Sequence, residues 1–390
     1  MSEAGRSAAT TPMRVVLWGT CDMGKPRVRI LRDGLRANGV DVIECRTDIW
    51  GGIDDKSQVR GAGRWLGLAL RLVLVYPLLV WRYLRLPRHD WVLLGYPSMP
   101  DVFMIRLFAW LRGARVAMDW FLSAYDTLVM DRALFARGHV LARLVYAFEW
   151  LGIRLSDALF MDTAAHARRM ERLFGLRAGR CGRVWVGVEE GVFAPVFDLP
   201  IGTQTQAPLR PARVLFYGQF IPLHGVATII EAARLLRDAP MEWLLIGRGQ
   251  EAPRIRAMLD ADPVPSLRWL DWVHYEDLVR HIADADICLG IFGTSDKAAS
   301  VIPNKAFQIL AAGRPLITRD SAAIRELVDE AMSNVKLIAA GDARALADAV
   351  LHWQRDPPAA CAHRDALLAR IRPSAVGRQC TDLLQRARAA

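Results

Sequence analysis

Only five of the 51 basic residues in this 390-residue chain are lysines, and two of those five, Lys297 and Lys305, stand in one short segment. Phosphate and diphosphate groups are held by full positive charges together with backbone N–H donors. Lys297 and Lys305 supply the charge. The donors come from Asn304, where a short helix begins and runs to Ala312 before Gly313 stops it. A helix start offers free N–H groups and the positive end of the helix dipole. Two surface lysines would look the same by spacing alone. A second group of candidates is acidic. Asp119 closes an apolar run, Asp126 lies seven residues on, and Asp22 and Asp162 occupy comparable places after other apolar runs. A carboxylate at the end of a strand can orient or deprotonate a hydroxyl, or simply cap the next helix. His166 stands one turn into the helix after Asp162, a position that more often belongs to a structural histidine than to a base.

These residues need elements to hold them. The lysines sit in the stretch 286–318. Ile287–Phe292 reads as a buried strand, Gly293–Pro303 as a polar loop, Asn304–Ala312 as a helix, and Pro315–Thr318 as the start of another strand. A loop at the carboxyl end of a strand, followed by a helix, is where open α/β sheets bind ligands. The same unit recurs along the chain. Met13–Trp18, a glycine-bearing turn through Gly19 and Gly24, helix Val28–Asn38 and strand Val40–Cys45 make a βαβ opening. Strands follow at 91–95, 115–118, 158–161 and 184–188, the last leading to Glu189-Glu190, with a helix at 141–155. The segment 199–211, rich in proline, glycine and polar residues, reads as a linker. After it the pattern restarts: strand 214–217, loop Gly218-Gln219 to His224, helix 226–237, strand 243–246, loop Gly247-Arg248-Gly249, helix 251–259 and strand 267–270 before Asp271-Trp272-Val273. Helices at 275–283, 322–329, 343–354 and 374–388 and a strand at 335–339 complete the reading. The fold class expected is therefore α/β: two Rossmann-like domains, 13–198 and 212–372, facing a cleft, with residues 373–390 packing back on the first.

Composition narrows the function. With 53% hydrophobic and 24% charged residues the chain is globular. The net charge of +10 is concentrated before residue 200, which suits an anionic surface or a phosphorylated substrate. No nucleic-acid-binding signature is present. The six cysteines show no metal-ligand spacing, so no metal site is expected and a reducing, cytoplasmic setting is. The first dozen residues lack an apolar core, so no signal peptide is expected. Residues 64–88 hold a ten-residue uncharged run, Leu72–Trp81, interrupted by Pro77 and flanked by Arg64, Arg71, Arg82, Arg85 and Arg88. That is half the length a membrane span needs. The segment reads either as an interfacial helix on an anionic membrane or as a helix buried against the sheet.

Gly247-Arg248-Gly249-Gln250-Glu251-Ala252 fits a dinucleotide-binding turn, with Asp271 about where a ribose-binding acid would stand. It occupies the second βα unit of its half rather than the first, so a nicotinamide dehydrogenase is only a remote alternative.

The order of motifs in the second half resembles the nucleotide-binding domain of retaining, family 4 glycosyltransferases with the GT-B fold. Phe216-Tyr217-Gly218 to His224-Gly225, Leu245 to Gly249, Ala283 to Asp286, and Asn304-Lys305 to Gly313-Arg314-Pro315 carry the resemblance over about 210–350. It is looser before residue 200, through Arg27, Asp119–Thr127, Asp131-Arg132 and Gly187-Val188. The resemblance implies transfer of a sugar from a nucleotide diphosphate sugar, UDP- or GDP-linked, to a sugar or lipid-linked acceptor in polysaccharide or glycolipid synthesis. No metal or other cofactor is implied, and no protein nucleophile. The donor candidates are then Gly218, Gln219, His224, Gly247, Arg248, Trp272, Val273, Lys297, Asn304, Lys305 and Gln308, and Asp119 and Asp126, placed after a strand, are the candidates for orienting the acceptor hydroxyl. The family's diphosphate-binding Arg and Lys fall here on Gln219 and His224, and its two glutamates fall on Gln308 and near Val301. Gln308 can hydrogen-bond a ribose hydroxyl but has no charge. Lys297 and Lys305 are the expected replacements for the missing positive charge. A nucleotide-sugar epimerase and a nucleotide-sugar-binding protein remain as alternatives.

Overall fold

The computed structural model describes residues 12–49, 62–197, 210–358 and 364–389. Lys56, Cys361 and nearly all of the 199–211 linker lie outside the described residues.

The first sheet has six parallel strands in the order β2-β1-β3-β4-β5-β6: β1 Arg14–Gly19, β2 Asp41–Arg46, β3 Trp91–Leu94, β4 Arg115–Asp119, β5 Ala158–Met161 and β6 Cys181–Arg183. Its central strands are apolar on both faces, β3 being Trp-Val-Leu-Leu with every residue buried. A parallel sheet flanked by helices on both sides requires that pattern. One face is covered by α1 (Pro26–Ala37) and the final helix of the chain, Pro373–Ala389. The other carries α2 (Ala62–Leu84), α3 (Met99–Leu111), α4 (Val140–Arg154) and α5 (Ala164–Phe174). A short helix, α6 (Glu190–Phe197), ends this half.

The second sheet, also six parallel strands, has the order β12-β11-β10-β7-β8-β9. Its strands are β7 Ala212–Tyr217, β8 Met241–Ile246, β9 Leu267–Leu270, β10 Ile287–Leu289, β11 Leu316–Arg319 and β12 Val335–Ile338. Helices α7 (Val226–Leu235), α8 (Ala252–Ala261) and α12 (Ala343–Arg355) bury Ile229, Ile255 and Leu346 on one face. Helices α9 (Tyr275–Asp284), α11 (Asn304–Ala311) and α13 (Arg364–Ile371) cover the other, with α10 (Asp296–Ser300) before α11. Trp185, Val186, Val188 and Phe193 of the first half belong to this second core, so the halves share apolar packing.

Three sequence expectations fail locally. The last strand of the first half is Cys181–Arg183 and not 184–188, which follows it without strand pairing. Residues 293–303 are not all loop: Ser295 accepts from the Ala298 N–H and starts the single-turn α10. Residues 322–329 form only a short turn, Ile324–Glu326, rather than a helix. The last helix, α14 (Pro373–Ala389), crosses α1 so tightly that a methyl group on Gly377 would lie 2.0 Å from the Gly34 backbone. Only glycine at both positions permits that approach. No described helix is long and apolar enough to cross a membrane.

Candidate functional site

The carboxyl ends of the two sheets face each other. On the second-domain side, the loops after β7, β8 and β10 interlock through glycines. Gly218 and Gly247 have φ of +139° and +155°, and a side chain on Gly247 would meet the Gly218 carbonyl at 1.9 Å. Neither position tolerates a Cβ. Lys305, on the first turn of α11, reaches back under this floor. It is 5% exposed, and its Nζ would lie 3.1 Å from a Cβ on Gly218. The ammonium sits 3.7 Å above the Phe216 ring and donates to the Gly290 carbonyl at 3.3 Å. Burial pushes its pKa well below the ordinary lysine value. His224 is its neighbour. The Nδ1–H of His224 donates to the Gln219 carbonyl, which fixes the neutral tautomer with Nε2 free to accept. Burial first, and the Lys305 charge second, hold His224 well below the usual histidine range. The Lys305 amine, from the first turn of α11, thus lies beside Gly218 and His224.

The helix start at Asn304 has Pro303 as its cap residue and no side-chain cap, so its first N–H groups remain available to a ligand. Arg248 is exposed at the β8–α8 turn, Trp272 is 55% exposed, and Val273 is half-buried against the core. Gln308 is 8% exposed and already engaged: its Oε1 accepts from the Tyr217 hydroxyl at 2.9 Å and its Nε2 donates to the Tyr275 hydroxyl at 3.0 Å. A neutral amide satisfies a donor on one side and an acceptor on the other, which a carboxylate could not do.

Lys297 goes elsewhere. It is 5% exposed, and its Nζ crosses to the first domain, donating to Thr127 Oγ1 at 2.6 Å with Asp126 at 3.8 Å. Burial lowers its pKa and the Asp126 charge opposes that. The expectation that both lysines meet the diphosphate is corrected for Lys297, which bridges the domains.

The two candidate acids are both fully buried. Asp119 takes a bidentate ion pair from Arg27, whose Nη1 also donates to the Val184 carbonyl. Desolvation raises the Asp119 pKa and Arg27 opposes it. Asp126 lies 2.6 Å from Arg169 Nη2. Asp119 is spent on Arg27, and Asp126 is buried beside Arg169 and Lys297 with neither oxygen hydrogen-bonded, so the structure corrects their expected role: both are buried and do not present a face to an acceptor. Asp126 opens a π-helical turn, Asp126–Asp131, where a plain loop is expected. Asp162 accepts from His166 Nδ1 at 2.6 Å, and the His166 Nε2 is buried without a partner. Asp22 is 6% exposed and accepts from the Gly24 N–H.

Two important acids escape a sequence reading. Glu149, in the middle of α4, is 1% exposed and accepts four donors, from the Trp120 indole, the Ser123 hydroxyl and the Ala124 and Tyr125 N–H groups. It holds the loop after β4 in place. Asp101, near the start of α3, accepts from the Thr20 N–H and hydroxyl and the Tyr76 hydroxyl beneath the β1 turn. Burial raises its pKa to about 7. Period-2 or period-3.6 patterns do not mark such residues, because each is a polar group placed among apolar neighbours to serve a loop distant in sequence.

Across the cleft, Glu326 of the second domain accepts from the Ala164 and Ala165 N–H groups and so caps α5 of the first. Thr163 donates to the Ser300 carbonyl at 2.5 Å, and Ser295 donates to Asp131 at 3.0 Å. These contacts tie the two domains together beside α5 and α10.

Residues 211–356 match the family described as glycosyl transferases group 1. Among known proteins, the chain is 24% identical over 309 residues to a chitobiosyldiphosphodolichol beta-mannosyltransferase of Eremothecium gossypii, covering 70% of this chain and 63% of that protein. It is 24% identical over 225 residues to the putative colanic acid biosynthesis glycosyl transferase WcaI of Escherichia coli, covering 54% and 52%. The chain thus spans less than two thirds of the length of these relatives. Among solved structures, Anabaena HepE, crystallised with UDP and with UDP-glucose, superposes with a TM-score of 0.62 at 12% identity, over 96% of this chain and all of that one in the UDP complex. The chain therefore has the two-domain fold of GT-B glycosyltransferase structures, and its residues 211–356 match the glycosyl transferases group 1 family.

Proposed function

We propose that the protein transfers a sugar from a nucleotide diphosphate sugar, with retention of configuration, to a lipid-linked or glycan acceptor at a membrane surface. The observation that carries this reading is Lys305 beneath Gly218 and beside His224, at the uncapped start of α11. There it meets the diphosphate, and the leaving group's developing charge is stabilised by the ammonium and the α11 N–H groups. No metal is required for that step. The glycine floor lets the phosphates approach backbone, and the exposed Trp272 with Val273 flanks the base. On the acceptor side, the loop after β4 is held rigid by Asp119–Arg27 and by Glu149, which suits positioning rather than proton transfer.

The membrane part rests on α2, α3 and α4. They lie side by side, Phe103 stacking on Phe148 at 4.6 Å, and each turns an apolar stripe outward: Leu74 and Trp81, Leu107 and Trp110, Leu144 and Leu151. Exposed arginines fringe these stripes, with Arg85 over Trp81 and Arg154 over Trp150. Aromatic and aliphatic groups with basic neighbours complement an anionic bilayer. HepE was crystallised with UDP-glucose, which favours UDP as the first donor to test.

A nucleotide-sugar-binding protein without turnover is the second reading, favoured by the neutral, fully engaged Gln308. Incubation with radiolabelled UDP-, GDP- and ADP-sugars and phosphatidylglycerol vesicles decides between them. Transfer or slow hydrolysis supports the enzyme, and binding without either leaves the second reading. Vesicle co-sedimentation that survives Leu74→Glu/Leu144→Glu removes the membrane face from the proposal.

A further inference from the structure

A cavity of about 520 Å³ opens between α5 of the first domain and α10 of the second, away from the Lys305 floor. We infer that it binds a phosphate or diphosphate group on the acceptor substrate, an inference that rests on the glycosyltransferase reading above. Three arginines of α5 line it. Arg168 and Arg172 are one turn apart, exposed, and make no hydrogen bond or ion pair among the described residues. Like charges at that spacing destabilise a helix by a few tenths of a kcal/mol, so folding gives no reason to keep them. Arg169 stands between them. Its Nη2 lies 2.6 Å from Asp126, while its Nη1 is buried without a partner.

The acids nearby do not cancel this charge. Asp126 is divided between Arg169 and Lys297 and does not line the cavity. Asp296 is the one lining carboxylate against three guanidinium groups. Planar guanidinium forks match phosphate oxygens in pairs, which single ammonium groups do not. Apart from Ser300 the remaining wall is apolar, with Met130 and Leu173. The Leu173 carbonyl accepts from Tyr146 of α4 at 3.2 Å, which joins the cavity to the helix whose outer face exposes Leu144, Phe148 and Leu151. A phosphate attached to an apolar chain fits both features. A phosphorylated water-soluble glycan would use only the arginines.

Calorimetric titration of the full chain with inorganic pyrophosphate and with farnesyl diphosphate, each in saturating UDP, tests the site. Both probes are expected to bind with the donor site filled. Arg168→Ala/Arg172→Ala is expected to weaken them about a hundredfold, since each lost charged hydrogen bond is worth roughly a factor of ten. Asp296→Asn is expected to tighten them, which keeps the test informative should the double variant fold poorly. Tighter binding of farnesyl diphosphate than of pyrophosphate supports the site with a lipid-linked acceptor, and equal binding supports it with a soluble one. Absence of binding in the parent, loss of binding on UDP addition, or affinities unchanged in both variants overturns it. UDP, GDP and ADP are titrated separately. Failure of all three overturns the donor reading, while arginine-dependent pyrophosphate binding would still stand.

Discussion

Replacing Lys305 by Met separates the two roles that a buried lysine can have. The side chains are similar in length, and Met fills the same channel without charge. In the free protein the ammonium has one hydrogen bond, 3.3 Å to Gly290, and the face of Phe216 at 3.7 Å. Those contacts are worth roughly 1 kcal/mol and up to about 2 kcal/mol respectively. Against them stands the desolvation of a 5% exposed amine, which costs several kcal/mol if it stays charged. The balance predicts no loss of stability in the free variant and a gain of about 1 kcal/mol, or roughly 2–4 °C in Tm for a domain of this size. Donor binding moves the other way. Losing one charged hydrogen bond to a diphosphate costs about 1.5–3 kcal/mol, a roughly ten- to 150-fold rise in Kd. A proton signature accompanies it. Burial lowers the Lys305 pKa in the empty site, and an arriving diphosphate raises it. Between those two values the parent takes up a proton on binding, and the variant does not. Scanning calorimetry of the free proteins, with UDP and GDP titrations in two buffers of different ionisation enthalpy, reads all three effects. Unchanged nucleotide affinity refutes the assignment. A variant that loses more than about 1 kcal/mol of stability along with its binding refutes the physical argument, because Lys305 would then be a structural residue.

Other outcomes follow from the buried acids and the domain contact. Glu149→Ala leaves four buried donors without an acceptor and is expected to cost more than about 3 kcal/mol, read by urea denaturation; a loss under 1 kcal/mol would show that the loop after β4 does not depend on it. Burial raises the Asp101 pKa to about 7, from an ordinary aspartate value of about 3.9. Between those values the folded state binds more protons than the unfolded one, so its contribution to stability is full below about pH 4 and is lost as pH rises through 7. Asp101→Asn should flatten that decline, and parallel stability–pH curves for parent and variant would sink the idea. Glu326→Ala removes the carboxylate that caps α5 from the opposite domain, an interaction worth up to about 2 kcal/mol. Small-angle scattering is expected to show a larger radius of gyration for the free variant, and an identical profile would mean that other contacts hold the cleft closed.

The α/β class was legible in the sequence because buried parallel strands need runs such as Trp91–Leu94 and Ile287–Leu289, and helices between them need a 3.6 period. The segment holding Lys305 was legible for the same reason: helix α11 begins at Asn304 and stops at Gly313, as its residues dictate. Direction was not. Lys297 and Lys305 look equivalent in sequence, yet Lys305 turns beneath Gly218 to the Gly290 carbonyl and Lys297 crosses to Thr127. Asp119 and Asp126 stand where a site acid would, yet Arg27, 92 residues away in sequence, and Arg169 consume them. Strand ends, helix starts and apolar runs are local properties, and the sequence alone determined them. The partner of a buried charge is set by which loops meet when two sheets pack, because an unpaired charge in an apolar interior costs more than any local preference can supply. Only the tertiary structure decided that Lys305 lies beneath Gly218 and beside His224, and that Asp119 and Asp126 are buried against basic partners.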